Sequence, residues 1–287
     1  MDNPWLERRV LNFAHQGGAR EGPSSTLHAM RRAVAEGAHA VELDVHATAD
    51  RHLVVCHDAT VDRTTDGTGR IAELTLEQVQ SLDNAYWWVP DAVVRHDADP
   101  AEYLLRGRAP GDPGLRIPSL REVLEELPGT ILNLDIKQSA PEVEPYEEDL
   151  ARLLREYGRT DDVIVASFSD ASIAAFSAAA PEIATAAASN ATAAFYFAAA
   201  AGEEPPPTGA CALQVPRTFG DVTVVDERFV AAAHRVGLAV HVWTVDERDE
   251  MEELLEVGVD GIMTDRPSLL GVVLAAAGAP IQLDRME

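Results

Sequence analysis

Short apolar runs alternate with amphipathic stretches along almost the whole chain, and this alternation constrains the fold more than any other feature. Runs at 11–14, 40–45, 131–136, 163–166, 183–187, 212–215, 239–243 and 261–263 have the length and content of buried strands. Helical periodicity fills much of the space between them, over 27–36, 146–157, 227–236 and 247–257. Eight strand–helix units in 287 residues predict an α/β fold, a single (β/α)8 TIM barrel domain spanning 1–287. An open dinucleotide-binding sheet fits less well, because no G-x-G-x-x-G follows the first strand. Two segments break the rhythm. An extra strand at 53–57 should form a hairpin with strand 2. The stretch 84–116, with Tyr86, Trp87, Trp88 and several Pro and Gly, reads as a small insertion after the second barrel strand. Its aromatic residues either cap a substrate or pack the insertion itself.

Charge narrows the function. Lys and Arg total 23 against 48 Asp and Glu, a formal net charge of −25. That excludes a nucleic-acid partner held by a basic surface, and docking on anionic lipid. An anionic substrate would need local positive charge. Here one count stands out: Lys137 is the single lysine beside 22 arginines. No apolar run reaches membrane-spanning length, and residues 1–10 lack the apolar core of a secretion signal, so a cytoplasmic chain without stable membrane association is expected. The cysteines, Cys56 and Cys211, lie in apolar runs and read as buried free thiols. Nothing in the sequence sets the oligomeric state.

Barrel chemistry sits at strand C-termini, where residues i and i+2 face the same way. Strand 2 ends with Glu42 and Asp44 at that spacing, strand 3 with Asp135 and Lys137, and strand 7 with His241 and Trp243. Strand 1 ends in His15, and the hairpin ends in His57-Asp58. Because Leu43 and Ile136 alternate with the charges, the charges should point inward. Three carboxylates buried together need a cation. Oxygen ligands suit Mg2+ or Ca2+, with Mn2+ also compatible. Two nearby histidines suit general acid–base catalysis. The competing structural reading is a polar interior layer neutralised by Lys137. His46 and His241 read as interior groups rather than catalysts, and Asp66-Gly67-Thr68-Gly69 as an ordinary turn rather than a phosphate cradle.

His15-Gln16-Gly17, Pro23-Ser24-Ser25-Thr26, Glu42-Leu43-Asp44-Val45, His57-Asp58, Arg63-Thr64-Thr65 and Asp135-Ile136-Lys137 together resemble the glycerophosphodiester phosphodiesterase family. So do the segments Val242-Trp243-Thr244-Val245 and 258–267 near the C-terminus. The resemblance implies a metal-dependent enzyme cleaving small-molecule glycerophosphodiesters to a phosphomonoester and an alcohol. It implies one divalent cation held by Glu42, Asp44 and Asp135, His15 and His57 as the acid–base pair, and Lys137 at the phosphate. Trp243 would lie at the alcohol pocket. The chain departs from the family pattern where Arg, Glu-Asn and Glu are usual and Gln16, Ser24-Ser25 and Asp135 stand instead. Gln16 is therefore expected as a substrate contact that keeps a donor but lacks the charge. Two other readings remain. One is lysophospholipase D or sphingomyelinase D-like activity on lipid head groups, which an apolar groove beside Trp243 would favour. The other is a non-catalytic barrel that binds a phosphate ligand.

Overall fold

The computed structural model describes residues 3–7, 10–138 and 140–278. Eight parallel strands, β1 (Leu11–His15), β2 (Ala40–Ala47), β3 (Ile131–Ile136), β4 (Val163–Ala166), β5 (Ala184–Thr185), β6 (Ala212–Pro216), β7 (Ala239–Trp243) and β8 (Gly261–Thr264), form the barrel wall. They run in the order β5-β4-β3-β2-β1-β8-β7-β6, and a parallel bridge between Ala186 and Ala212 joins the two ends. The expected (β/α)8 barrel is present. Three strands keep the predicted bounds, whereas β5 shrinks to two residues, so the wall is weakest where it closes.

Helices α1 (Leu27–Ala35), α2 (Leu120–Glu126), α3 (Glu147–Glu156), α4 (Asp170–Ala179), α5 (Ser189–Ala201), α6 (Glu227–Arg235), α7 (Arg248–Val257) and α8 (Pro267–Ala277) surround the sheet. Their starts are set by side chains that satisfy free backbone N–H groups. Thr26, Ser119 with Glu122, Ser169 and Asp226 cap α1, α2, α4 and α6. The alanine-rich α4 and α5 lack an amphipathic pattern, but alanine loses little entropy in a helix, and Phe176 and Phe195 bury one face of each.

Outward residues of each strand pack beneath the helices. Leu43, Leu134 and Ile136 meet Met30, Leu124 and Leu150, while Val240 and Ile262 meet Phe195, Phe229 and Leu270. Inward residues form layers. The bottom is Leu11, Ala40, Ile131, Ala212 and Ala239, plugged from below by Trp5 on the short helix Pro4–Glu7. Above it Phe13 packs on His241 at 4.9 Å between ring centres. Gly261 makes room for this pair, since a Cβ there would lie 2.7 Å from Phe13 and 2.9 Å from His241. Gln214 donates across the barrel to Asn133 Oδ1 at 2.6 Å. The inward positions above this layer carry the site.

The strand Leu53–Val55 pairs antiparallel with β2, forming the expected hairpin. Residues 84–116 hold a small ribbon, Trp88–Val89 with Val93–Val94, and two 3-10 turns. The Arg106 guanidinium stacks over Tyr103, Tyr86 and Trp87, so those aromatics pack this segment and none lines the cleft described next. Cys56 is a buried free thiol, and Cys211 is half-buried. Among the described residues no helix is long and apolar enough to cross a membrane.

Candidate active site

A cleft of about 750 Å3 opens at the C-terminal ends of the strands. Strand register builds its polar side: His15 lies beside Glu42 across β1 and β2, and Asp44 beside Asp135 across β2 and β3. The side chains of His15, Glu42, Asp44, His57, Asp135, Lys137 and Trp243 all line it. Of the expected catalytic, metal-binding and substrate-binding residues, Gln16 alone stands outside the lining. Its backbone adopts φ +52°, its N–H donates to Glu42, and its buried side-chain amide nitrogen lies 3.2 Å from His15 Nε2. It therefore reaches the cleft only through His15.

Each histidine is held by its own carboxylate. His15 Nδ1 lies 2.7 Å from Asp265 Oδ1, and Nε2 lies 3.8 Å from Glu42 Oε2. Burial pulls the His15 pKa down, but the Asp265 hydrogen bond and the charges of Glu42, Asp265 and Asp44 outweigh it and raise it to about 9. His57 Nδ1 lies 2.6 Å from Asp58 Oδ1, and Arg63 donates to both oxygens of Asp58. Burial opposes ionisation of Asp58, yet His57 and Arg63 hold it well below the usual carboxylate range. With Nδ1–H donated to a carboxylate, each ring is fixed in tautomer and orientation as a catalytic imidazole is and turns Nε2 away from its clamp, where at His15 it also meets the Gln16 amide. Sequence reasoning missed Asp265 and the Asp58–Arg63 pair as functional partners. A signal existed for the first: Asp265 follows β8, and β8 must neighbour β1 in any closed eight-strand barrel.

The backbone around His57 is pinned from below. Cys56 N–H donates to the Asp44 carbonyl at 3.0 Å, and His46 Nε2 lies 3.3 Å from the His57 carbonyl. Tyr146 Oη donates to the Val45 carbonyl and accepts from Gln138 N–H, which fixes the turn that follows Lys137.

Lys137 Nζ sits 2.8 Å from Asp44 Oδ1 and 3.1 Å from Asp135 Oδ2. The neutralised polar layer weighed from the sequence thus exists, but it is incomplete. Burial drives the Glu42 carboxyl well above the usual carboxylate range, with Asp44 adding to it and His15 and Lys137 opposing. Burial also raises Asp135 against the pull of Lys137. Asp44 Oδ2 and Asp135 Oδ1 are buried with no hydrogen-bond partner. Unpaired buried carboxylate oxygens are costly, and this all-oxygen donor set suits a hard divalent cation. Among the described residues no three His, Cys, Asp or Glu side chains are already drawn together for a metal. Lys137 already pairs with two of the three carboxylates, so the fit to a cation rests on their unpartnered oxygens.

Residues 15–269 match the model of the glycerophosphoryl diester phosphodiesterase family. A glycerophosphodiester phosphodiesterase of Caldanaerobacter subterraneus subsp. tengcongensis is 31% identical over 264 residues, covering 91% of this chain and 96% of the relative. One from Bacillus subtilis is 30% identical over 273 residues, covering 91% and 85%. Among solved structures, a glycerophosphoryl diester phosphodiesterase domain from Mycobacterium tuberculosis has a TM-score of 0.75 at 22% identity, covering 93% of this chain and 99% of that one. An Oleispira antarctica phosphodiesterase, solved with the product sn-glycerol-3-phosphate, has a TM-score of 0.72 at 22% identity, covering 94% and 99%. The structural likenesses speak for the barrel, and the family match along most of the chain speaks for its chemistry: the protein belongs to the glycerophosphoryl diester phosphodiesterase family of phosphoric diester hydrolases.

Proposed function

We propose that this chain hydrolyses glycerophosphodiesters to a phosphomonoester and an alcohol, with His15 and His57 dividing the proton transfers. The observation that carries this reading is the pairing of two carboxylate-clamped histidines with a buried carboxylate–lysine cluster in one cleft. The attacking hydroxyl comes from water or from a neighbouring hydroxyl of the substrate. As its oxygen bonds to phosphorus, one histidine takes its proton. As the bond from phosphorus to the leaving oxygen breaks, the other histidine delivers a proton to that oxygen. When the attacker is a substrate hydroxyl, the same pair reverses roles to open the cyclic phosphate with water. Asp265 and Asp58 stabilise whichever imidazole carries the extra proton.

Lys137 is placed to balance charge on the non-bridging phosphate oxygens. Glu42, Asp44 and Asp135 would hold one divalent cation, Mg2+, Ca2+ or Mn2+. Bound there, such an ion would polarise a phosphate oxygen and offset its charge. Trp243 forms the wall beside the leaving alcohol. Gln16 tunes His15 through the amide contact with Nε2, the nitrogen that transfers the proton.

The test is turnover of glycerophosphocholine and bis(p-nitrophenyl) phosphate with Ca2+, Mg2+ or Mn2+, then with EDTA. Metal-dependent release of alcohol, quenched by the chelator, supports the reading. Binding of glycerol 3-phosphate with no turnover of either diester would instead make the barrel a phosphate-ligand receptor.

A further inference from the structure

Neither acid–base histidine is held by its strand alone. His15 ends β1, and the chain then turns sharply through Gln16. His57 stands in the loop after the hairpin strand Leu53–Val55. Behind both turns lies Asn84, the first residue of the insertion, buried and outside the cleft lining. Its side-chain nitrogen donates to the Ser24 carbonyl at 3.0 Å and, more weakly, to the Ser25 carbonyl at 3.4 Å. Its oxygen accepts from the Thr64 hydroxyl. Both onward paths are short. Ser25 N–H donates to the Gln16 carbonyl at 2.8 Å, next to His15. Thr64 follows Arg63, whose guanidinium holds Asp58, and Asp58 in turn holds His57 Nδ1. One amide thus joins the two loops that carry the histidines.

The orientation of this amide follows from its partners. Two carbonyls can only accept, so the nitrogen faces Ser24 and Ser25 and the oxygen faces the hydroxyl. Asn84 is itself fixed, because its backbone N–H donates to the Leu115 carbonyl near the far end of the same segment. Gln16 at φ +52° and Ser25 at φ +56° are left-handed without being glycine, and such backbones persist only where their surroundings hold them. Satisfying the buried carbonyls would need the nitrogen alone. The bond from the oxygen to Thr64 serves no part of the Ser24-Ser25 turn and reaches toward the other histidine. Trp87, from the same segment, reinforces that side by donating from Nε1 to the Thr65 carbonyl at 2.8 Å.

We propose that Asn84 is a positioning residue that fixes the separation and aim of His15 and His57. It lies too deep to touch substrate. It acts through the Gln16 turn on one side and through Thr64, Arg63 and Asp58 on the other. Two proton transfers at one phosphorus need both rings placed together, and displacements on the order of 1 Å cost about 10²-fold in rate. This rests on the reading of His15 and His57 as the proton-transfer pair.

The experiment measures kcat and KM on glycerophosphocholine, with metal present, for Asn84→Ala, Thr64→Val and Thr64→Ser, beside His15→Ala and His57→Ala. NMR on protein with isotopically labelled histidine follows the ring nitrogens of His15 and His57, assigned by their absence in the alanine variants. Asn84→Ala should lower kcat by on the order of tenfold or more with KM within about twofold, and shift or broaden the signals of both rings. Thr64→Val, which loses only the hydroxyl contact, should lower kcat less and disturb His57 alone. Thr64→Ser keeps the hydroxyl and should match the wild type in both readouts. A lowered Tm with kcat and both rings unchanged makes Asn84 a merely structural amide and overturns the proposal. So does a fall in kcat that leaves both rings undisturbed. If Asn84→Ala does not fold, the Thr64 pair decides, and equal kcat in Thr64→Val and Thr64→Ser overturns it. If His15→Ala and His57→Ala keep full activity, the acid–base reading fails, and the ring signals still decide whether Asn84 holds the two histidines.

Discussion

The β1–β3 half of the barrel mouth and the β4–β7 half share one scaffold but solve opposite problems. On the first, buried charges are gathered at a cost that Lys137 offsets only in part, since Asp44 Oδ2 and Asp135 Oδ1 stay without a hydrogen-bond partner. On the second, apolar side chains are left in water where a folded core would have hidden them. Each half departs from what stability alone would select, and the two departures meet in one cleft. Functional surfaces are where such departures collect. We propose phosphate chemistry for the polar half, and the apolar half stands beside it in the same cleft. Predictions from this comparison can be ordered by size.

The largest effects belong to the polar half. His15→Ala and His57→Ala should each lower kcat on glycerophosphocholine by about 10²–10⁴ while the Tm stays near that of the wild type. Steady-state kinetics with a thermal melt checks this, and near-full kcat in either variant removes that histidine from the mechanism. Glu42→Gln and Asp44→Asn should abolish calcium binding in a calorimetric titration, together with the rise in Tm that the cation brings by mass action. Asp135→Glu should bind calcium more tightly, because the longer side chain reaches past the Lys137 contact. Equal or weaker affinity would mean that Asp135 is already well placed or holds no metal.

Lys137→Met separates the two readings of the carboxylate cluster. Removing the ammonium leaves Asp44 and Asp135 uncompensated, and should cost on the order of 3 kcal/mol without metal. The gain in Tm on adding calcium should be larger in this variant than in the wild type, since the cation then replaces the lost partner. A smaller gain would show that Lys137 helps hold the ion rather than competing with it.

Beneath both halves, His241 gives a smaller, pH-dependent effect. Burial lowers its pKa from 6.5 to about 4, so the folded state keeps it neutral while the unfolded chain takes up a proton. This group's contribution is therefore intact above pH 6.5 and is lost as pH falls towards 4, by about 3 kcal/mol at the lower end. Urea melts of the wild type and His241→Gln between pH 4 and 7 should show a shallower slope for the variant, and parallel curves would contradict this. The smallest effect belongs to Gln16→Arg. A charge-assisted hydrogen bond exceeds a neutral one by about 1 kcal/mol, so several-fold in kcat/KM on glycerophosphocholine is expected, as a gain if the arginine reaches phosphate. A fall with intact folding and calcium binding would mean that the amide contact to His15 is needed as it stands.

Much of the polar half was legible in the sequence, because β-strand periodicity is local. Glu42 and Asp44, or Asp135 and Lys137, declare a shared face from their spacing alone, and intervening Leu43 and Ile136 say which face is inward. The barrel followed from repetition of the strand–helix unit. The clamps were harder. Asp265 lies 250 residues from His15 and meets it only because β8 closes onto β1. The apolar half was nearly silent for a different reason. Phe168, Phe197 and Phe219 look like core residues in any composition-based reading, and exposure is a property of the assembled surface. Gln16 shows a third limit: its place after His15 suggested substrate contact, while its left-handed backbone brings its amide onto the histidine's Nε2.

The central claim is that His15 and His57 divide the two proton transfers of phosphodiester cleavage. It is tested most directly by leaving group. The wild type, His15→Ala and His57→Ala are each assayed, with metal present, on glycerophosphocholine and on its p-nitrophenyl counterpart, whose phenolate leaves without being protonated. The account predicts that both variants are crippled on glycerophosphocholine, and that one of them recovers most of its activity on the p-nitrophenyl ester while the other does not. Equal losses on both substrates for both variants, or no loss for either, would contradict it.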